Sequence, residues 1–297
     1  MCCQNRLKMY EASLKHIQVF GERGKQPGQF EQPNDITADD EGRIYVADLH
    51  RIQIFTSVVD EDLNIEYCYK GHFVVACPEY KQQIWGGTSC IVYNSSHKEL
   101  VLPVVYKACG LAARTIQFHH LDGTLKHQFT NSNMASGLRI AVNDDRVLIS
   151  DWTLHCIFIH NREGECLHKI ASSDLVAIEY PYFICIGHHG DIIVSNYGQN
   201  NIITFDKKYN FKSKFGCPGH KLGDIKTPTG VAVDKLGHVI VAEKDNKRVQ
   251  FFRSDGTFVK CIGNSEDGLN WPKGMLVHND SLYVVDNVSN NVKVFDI

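Results

Sequence analysis

No two cysteines in this chain stand three positions apart, and no HExxH, GxSxG or GxxxxGK[ST] string occurs in it. These gaps remove the local ligand spacings of zinc fingers and common zinc hydrolases, the nucleophile elbow and the P-loop. No apolar run approaches the ~18 residues of a membrane-spanning helix, and the opening MCCQNRLKMY is too polar for a secretory signal. Neither charge dominates. The 31 Lys and Arg face 34 Asp and Glu, and a net charge of −3 offers no global attraction to nucleic acid or membrane. The 11 cysteines are scattered, and without a secretory signal they read as reduced thiols rather than a disulfide framework. The adjacent pairs His119 and His120, and His188 and His189, fall at expected turns and read as exposed side chains. The chain is thus expected to be cytoplasmic, with no membrane contact, metal or cofactor.

Repetition is what the chain has in abundance. Residues 33–55 (PNDITADDEGRIYVADLHRIQIF), 228–251 (PTGVAVDKLGHVIVAEKDNKRVQF) and 272–295 (PKGMLVHNDSLYVVDNVSNNVKVF) follow one pattern. Each runs from Pro through an apolar run, a polar turn, a second apolar run ending in Asp or Glu, a polar loop and a third run. Asp151, Asn196, Glu243 and Asp286 close the second run in successive units, 45, 47 and 43 residues apart. Asp48 lies 103 residues before Asp151, which leaves room for one longer, degenerate unit at 90–118. Six units of this period predict an array of supersecondary repeats.

The runs are rich in Val, Ile, Tyr and Phe and are bounded by Gly, Asn and Asp, the pattern of short strands joined by tight turns. DEGR at 40–43, HHGD at 188–191 and KLGH at 235–238 sit where a first hairpin must turn, with Gly supplying a positive φ. Segments such as KSKFG at 212–216 supply a fourth strand. The expectation is an all-β, six-bladed β-propeller of four-stranded antiparallel blades. The last unit stops directly after its third strand, and 16–21 (HIQVFG) reads as a fourth strand with no blade before it. The N-terminal strand is therefore expected to complete the last blade and close the ring.

The string PGQF…P…I…D…G.IYVAD…RIQIF between Pro27 and Phe55 resembles the NHL repeat, and six such units resemble the propeller of the TRIM-NHL family. The resemblance covers residues 14–297, with 1–13 as an N-terminal extension. It implies a recognition scaffold that binds RNA, single-stranded or in a stem-loop, or a protein partner. Such a scaffold would act in post-transcriptional regulation or as a substrate adaptor in ubiquitin ligation. The RING and B-box modules that usually precede this propeller in the family are absent, so no ligase activity of its own is expected. A monomeric propeller is expected.

NHL propellers also occur in a peptide-amidating lyase, so an enzyme, either a metal-dependent lyase or a lactonase-like hydrolase, is the alternative. It would need convergent metal ligands or an acid–base pair, and no such asymmetric set stands out. The aligned Asp48, Asp151, Asn196, Glu243 and Asp286 read instead as acceptors for the backbone of the loop that follows each of them.

The loops after the second strands and the connections between blades should share one face, where a rigid scaffold concentrates binding residues. The candidates there are Arg51, Lys244, Lys247, Arg248 and Lys273 for phosphate or acidic groups. Trp152, Tyr182 and Tyr197 are candidates for stacking, and Asn201 for base contact. The same loops carry Glu22, Glu31, Asp35, Asp224, Asp245, Glu266 and Asp267, so the local charge is nearly balanced. The longest connection, 56–89, is too apolar for disorder. Part of it, 65–70, is expected to form the outer strand of blade one, and the remainder either folds over blade two or presents aromatics to a partner.

Overall fold

The computed structural model describes residues 16–59, 65–75, 87–108, 111–130, 134–135, 137–263 and 268–297. The 1–13 extension lies outside these residues, as do 60–64 and 76–86 of the long connection. The strands form six four-stranded antiparallel sheets, one per repeat unit. Blade 1 spans 33–74, blade 2 92–130, blade 3 139–170, blade 4 181–215 and blade 5 228–262. Blade 6 spans 272–296 and takes His16–Phe20 as its outer strand, so the ring is closed as the sequence predicts.

Why these runs form strands is visible in their burial. All five residues of Ile192–Asn196 are buried, as are all five of Val239–Glu243. Such strands are covered on both faces because each blade lies between two others, which is why the runs are nearly continuous in apolar residues. The core is accordingly divided among the blade boundaries. Phe183, Ile193 and Ile202 of blade 4 pack with Val231, Val239 and Phe252 of blade 5. Ile36, Val46 and Phe55 of blade 1 pack with Tyr283, Val285 and Val294 of blade 6. Each such side chain contributes about 1.5–3 kcal/mol by leaving water. The predicted glycines carry the first hairpins: Gly42, Gly190 and Gly237 adopt φ of 77°, 81° and 81°.

The first strands of neighbouring blades pack against one another around the ring, which places them at the axis. The outer strand of blade 1 is Ile65–Val74, longer than the sequence predicts. Blade 2, the degenerate unit, forms its sheet from Val92–Asn94, Glu99–Ala108, Leu111–His119 and Leu125–Thr130. His119 is not the exposed turn residue expected. It ends a strand, is buried, and has Nδ1 2.9 Å from the Gly123 carbonyl and Nε2 3.0 Å from Gln117 Oε1.

Candidate recognition face

Blade-to-blade connections and second-to-third-strand loops emerge together, and a repeated carboxylate or amide fixes them. Asp48 Oδ1 accepts the Glu31 amide at 2.7 Å and Asp151 Oδ2 the Ala135 amide at 2.6 Å. Asn196 Oδ1 accepts Glu179 N at 2.7 Å, Glu243 Oε2 accepts Lys226 N at 3.0 Å, and Asp286 Oδ2 accepts Asn270 N at 2.9 Å. The aligned residues are backbone acceptors, but the segment they hold is chiefly the connection that leads into the blade. Asp151 and Asp286 also accept backbone amides of the loop that follows, from Thr153 and Leu154 and from Ser289, and Glu243 accepts the Asn246 side-chain amide there. Blade 2 has Val104 in place of the acid, and there Thr88 forms a backbone bridge with Val104. The acids are thus structural pins: all five hold the connection into the blade, and Asp151, Glu243 and Asp286 hold the loop that follows as the sequence predicts.

Two of the candidate cations belong to these pins. Arg248 is 8% exposed; its Nε donates to Glu243 Oε1 at 2.9 Å and its Nη groups to the carbonyls of His220, Lys221 and Asp224. Arg51 repeats the arrangement in blade 1, donating to Asp48 and to the carbonyls of Lys25 and Gln29. Their guanidiniums are occupied by the scaffold. Asn201 Oδ1 likewise accepts Asn196 Nδ2 at 3.1 Å. Lys247 is exposed and sits at φ 53°, a left-handed position better suited to Asn or Gly.

Three candidate aromatics are brought together. Trp152 lies 5.3 Å from Tyr182 and 4.9 Å from Tyr197, with Tyr182 and Tyr197 5.9 Å apart. Sequence reasoning missed Tyr180, 4.9 Å from Trp152 and 41% exposed, and His155, 4.3 Å from Tyr180. Burial, with smaller contributions from Asp245 and Tyr182, raises the Tyr197 hydroxyl pKa, so it stays a neutral donor.

The cluster borders a cationic mouth at the axis. Asn34, Arg139, Tyr182, Thr229 and Lys273 all stand at the start of their blades' first strands, one position after Pro in four of the five. Arg139, also missed because blade 3 lacks the leading Pro, is buried and stacks 4.7 Å over the Tyr182 ring, donating to its hydroxyl at 3.1 Å. Its Nε–H is buried without an acceptor. Lys273 is 8% exposed and donates to Asn34 Oδ1 at 2.8 Å. Lys273 and Lys244 both lie on Trp271, their ammonium nitrogens 4.5 Å and 4.2 Å from the ring centre. Burial first, then repulsion from Arg139 and Lys244, pulls the Lys273 ammonium down to about 7. Asp35 beside this ring is buried and its carboxyl is pushed up to about 6 by desolvation, only partly offset by hydrogen bonds and Arg139. Arg139 and Lys273 form no ion pair among the described residues, so the mouth can accept an anion without first breaking one.

Among the described residues no group of three or more His, Cys, Asp and Glu converges to hold a metal, and no helix is long and apolar enough to cross a membrane.

Residues 226–252, the blade 5 unit that supplies Glu243 and Arg248, match the NHL repeat family model. The chain is a six-bladed β-propeller that carries an NHL repeat in blade 5. It is 31% identical over 107 residues to Protein brain tumor of Drosophila melanogaster, covering 35% of this chain and 10% of that protein. It is 48% identical over 44 residues to the E3 ubiquitin-protein ligase TRIM71 of Gallus gallus, covering 15% of this chain and 5% of that protein. The aligned parts are therefore a small fraction of these relatives. Among solved structures, the fold resembles a streptogramin B lyase with a TM-score of 0.60 at 14% identity, covering 94% of this chain and 88% of the lyase. That likeness shows a shared propeller fold and carries no chemistry to this chain.

Proposed function

We propose that this NHL propeller is a non-catalytic recognition module that takes single-stranded RNA across the face bearing the axial mouth. The observation that carries the reading is the contact of the aromatic cluster with the mouth, joined where Arg139 stacks on Tyr182. Lys244, Lys247 and Lys273 with Arg139 would hold phosphates, and Trp152, Tyr180, Tyr182 and Tyr197 would stack splayed bases, which every base permits through its π-face. The acids Asp245 and Glu179 on the same face would narrow the path a negative strand can follow. The similarity to TRIM71 and brain tumor supports a binding scaffold and leaves the ligand to the site chemistry.

The test is binding of the purified chain to a random single-stranded RNA pool, titrated with salt. Enrichment of a short motif, affinity that falls steeply with salt, and loss in Lys244→Glu/Lys247→Glu would bear the reading out. No capture at low salt would remove RNA and leave a protein ligand on this face, the substrate-adaptor reading.

A further inference from the structure

A second surface lies on the opposite face of the ring, at the boundary between blade 1 and the degenerate blade 2. There a cleft of about 580 Å³ is lined by Arg43, Tyr45, Ile54, Lys70, Lys98, His120, Leu121 and Asp122. Tyr45, Ile54 and Leu121 give it an apolar floor. The rim carries three permanent cations and a histidine against one acid.

The charge imbalance has a local origin. In every blade the third and fourth strands are offset by a bulge, and a residue of the fourth strand is left without a cross-strand partner. In blade 2 that residue is Lys126, whose Nζ pairs with Glu99 at 2.8 Å. In blade 4 it is Lys212, which pairs with Asp191. Glu99 opens the second strand of blade 2, and Asp191 immediately precedes that of blade 4. In blade 1 the bulged residue is Lys70, but the residue ahead of the second strand is Arg43. A lysine that finds a carboxylate elsewhere in the ring here meets a like charge.

Arg43 is itself committed, with Nε 2.6 Å from Asp39 Oδ2 and Nη2 3.2 Å from Glu41. Lys70, Lys98 and His120 are exposed and make no ion pair among the described residues. Asp122 accepts the Thr124 amide at 2.8 Å in its own turn. An occupant that neutralises the lysines must therefore bring its own negative charge, and one that covers Tyr45, Ile54 and Leu121 must bring an apolar group as well. A free phosphate satisfies only the rim, and an uncharged helix only the floor.

We infer that the blade 1–blade 2 cleft docks an acidic segment of a partner protein through one apolar side chain on the floor and flanking carboxylates on Lys70 and Lys98. The surface is independent of the axial mouth, so the chain would hold two ligands at once, one on each face.

The probe is a fluorescein-labelled peptide with a central leucine flanked on both sides by glutamates, read by anisotropy against the intact chain. Saturable binding is expected, weakening with salt, at least tenfold in Lys70→Glu/Lys98→Glu, and severalfold when the leucine is replaced by alanine. Lys247→Glu on the other face should leave it unchanged. Both cleft lysines are exposed, so the double variant should melt with wild-type chain, which separates lost docking from lost folding. Absence of saturation, equal binding by the double variant, or indifference to the leucine would overturn the assignment. So would poly(U) RNA whose capture is lost in the Lys70→Glu/Lys98→Glu chain, because the cleft would then belong to nucleic acid.

Discussion

Lys273 donates to Asn34 across the seam between the last blade and the first, Nζ to Oδ1 at 2.8 Å, with Trp271 beneath the ammonium. The bond helps close the ring and places a nearly desolvated cation at the mouth. Because the folded value is pulled from 10.5 to about 7, protonation is opposed by folding. The resulting cost is present in full below pH 7 and fades as pH rises toward 10.5. Lys273→Met should therefore raise stability more at pH 6 than at pH 9 in urea titrations. RNA capture by the wild-type chain should weaken between pH 6 and pH 8.5, and Lys273→Arg should flatten that dependence.

The arginine that pins blade 5 should behave unlike its neighbour. Arg248→Ala takes the cation from the buried Glu243 carboxylate, which keeps only uncharged donors, and leaves the His220 carbonyl without its donor, and about 3–5 kcal/mol of stability should go with it. Lys247→Asn removes an exposed charge at a left-handed position that Asn tolerates, and the urea midpoint should hold or rise slightly. Equal destabilisation by both would sink the division between scaffold and recognition residues.

Asp35 offers a second titration with the opposite sign. Its carboxyl, normally near 3.8, is held at about 6 by burial, so the folded state keeps its proton longer than the unfolded chain. Stability from this group is greatest below pH 3.8 and declines as pH rises to 6. Asp35→Asn loses one acceptor, since both carboxylate oxygens take backbone amides, from Ile36 and Ile91. Whatever that offset, the difference between variant and wild type should move by about 2–3 kcal/mol in the variant's favour between pH 4 and pH 7. A constant difference would mean the carboxyl titrates normally.

Among the described side chains of the closing strand, Phe20 is the buried one. Phe20 lies 4.5 Å from Tyr67 and 5.0 Å from Phe55 by ring centres, so the latch of blade 6 is buried against blade 1. Phe20→Ala should cost about 3–5 kcal/mol. A loss under ~1 kcal/mol in chemical denaturation would mean that the latch contributes little.

The fold was legible because each blade is sandwiched, and that condition writes itself as five-residue apolar runs between Pro and Asp. Even blade 2 could be counted, although Val104 replaces its acid, since the runs on either side still alternate with turns. The site was legible only by residue type. Trp152, Tyr182 and Tyr197 stand out as loop aromatics. Nothing in the residue types tells Lys247, in solvent at the left-handed end of the turn, from Arg248, the first residue of the buried strand that follows. Arg139 was hidden by Leu138, which occupies the place of the leading Pro and broke the alignment. The cleft between blades 1 and 2 was illegible for a different reason. It comes from a missing partner, Arg43 where Glu99 and Asp191 stand elsewhere, and that is seen only once the bulged lysines are superposed in space.

The pairing of His16 with Phe295 and of Phe20 with Val292 has a mechanical corollary. The two strands run antiparallel with His16 beside Phe295, so tension between residues 16 and 296 loads the ladder one bond at a time. A propeller pulled at these two residues should peel open at low force from the His16 end.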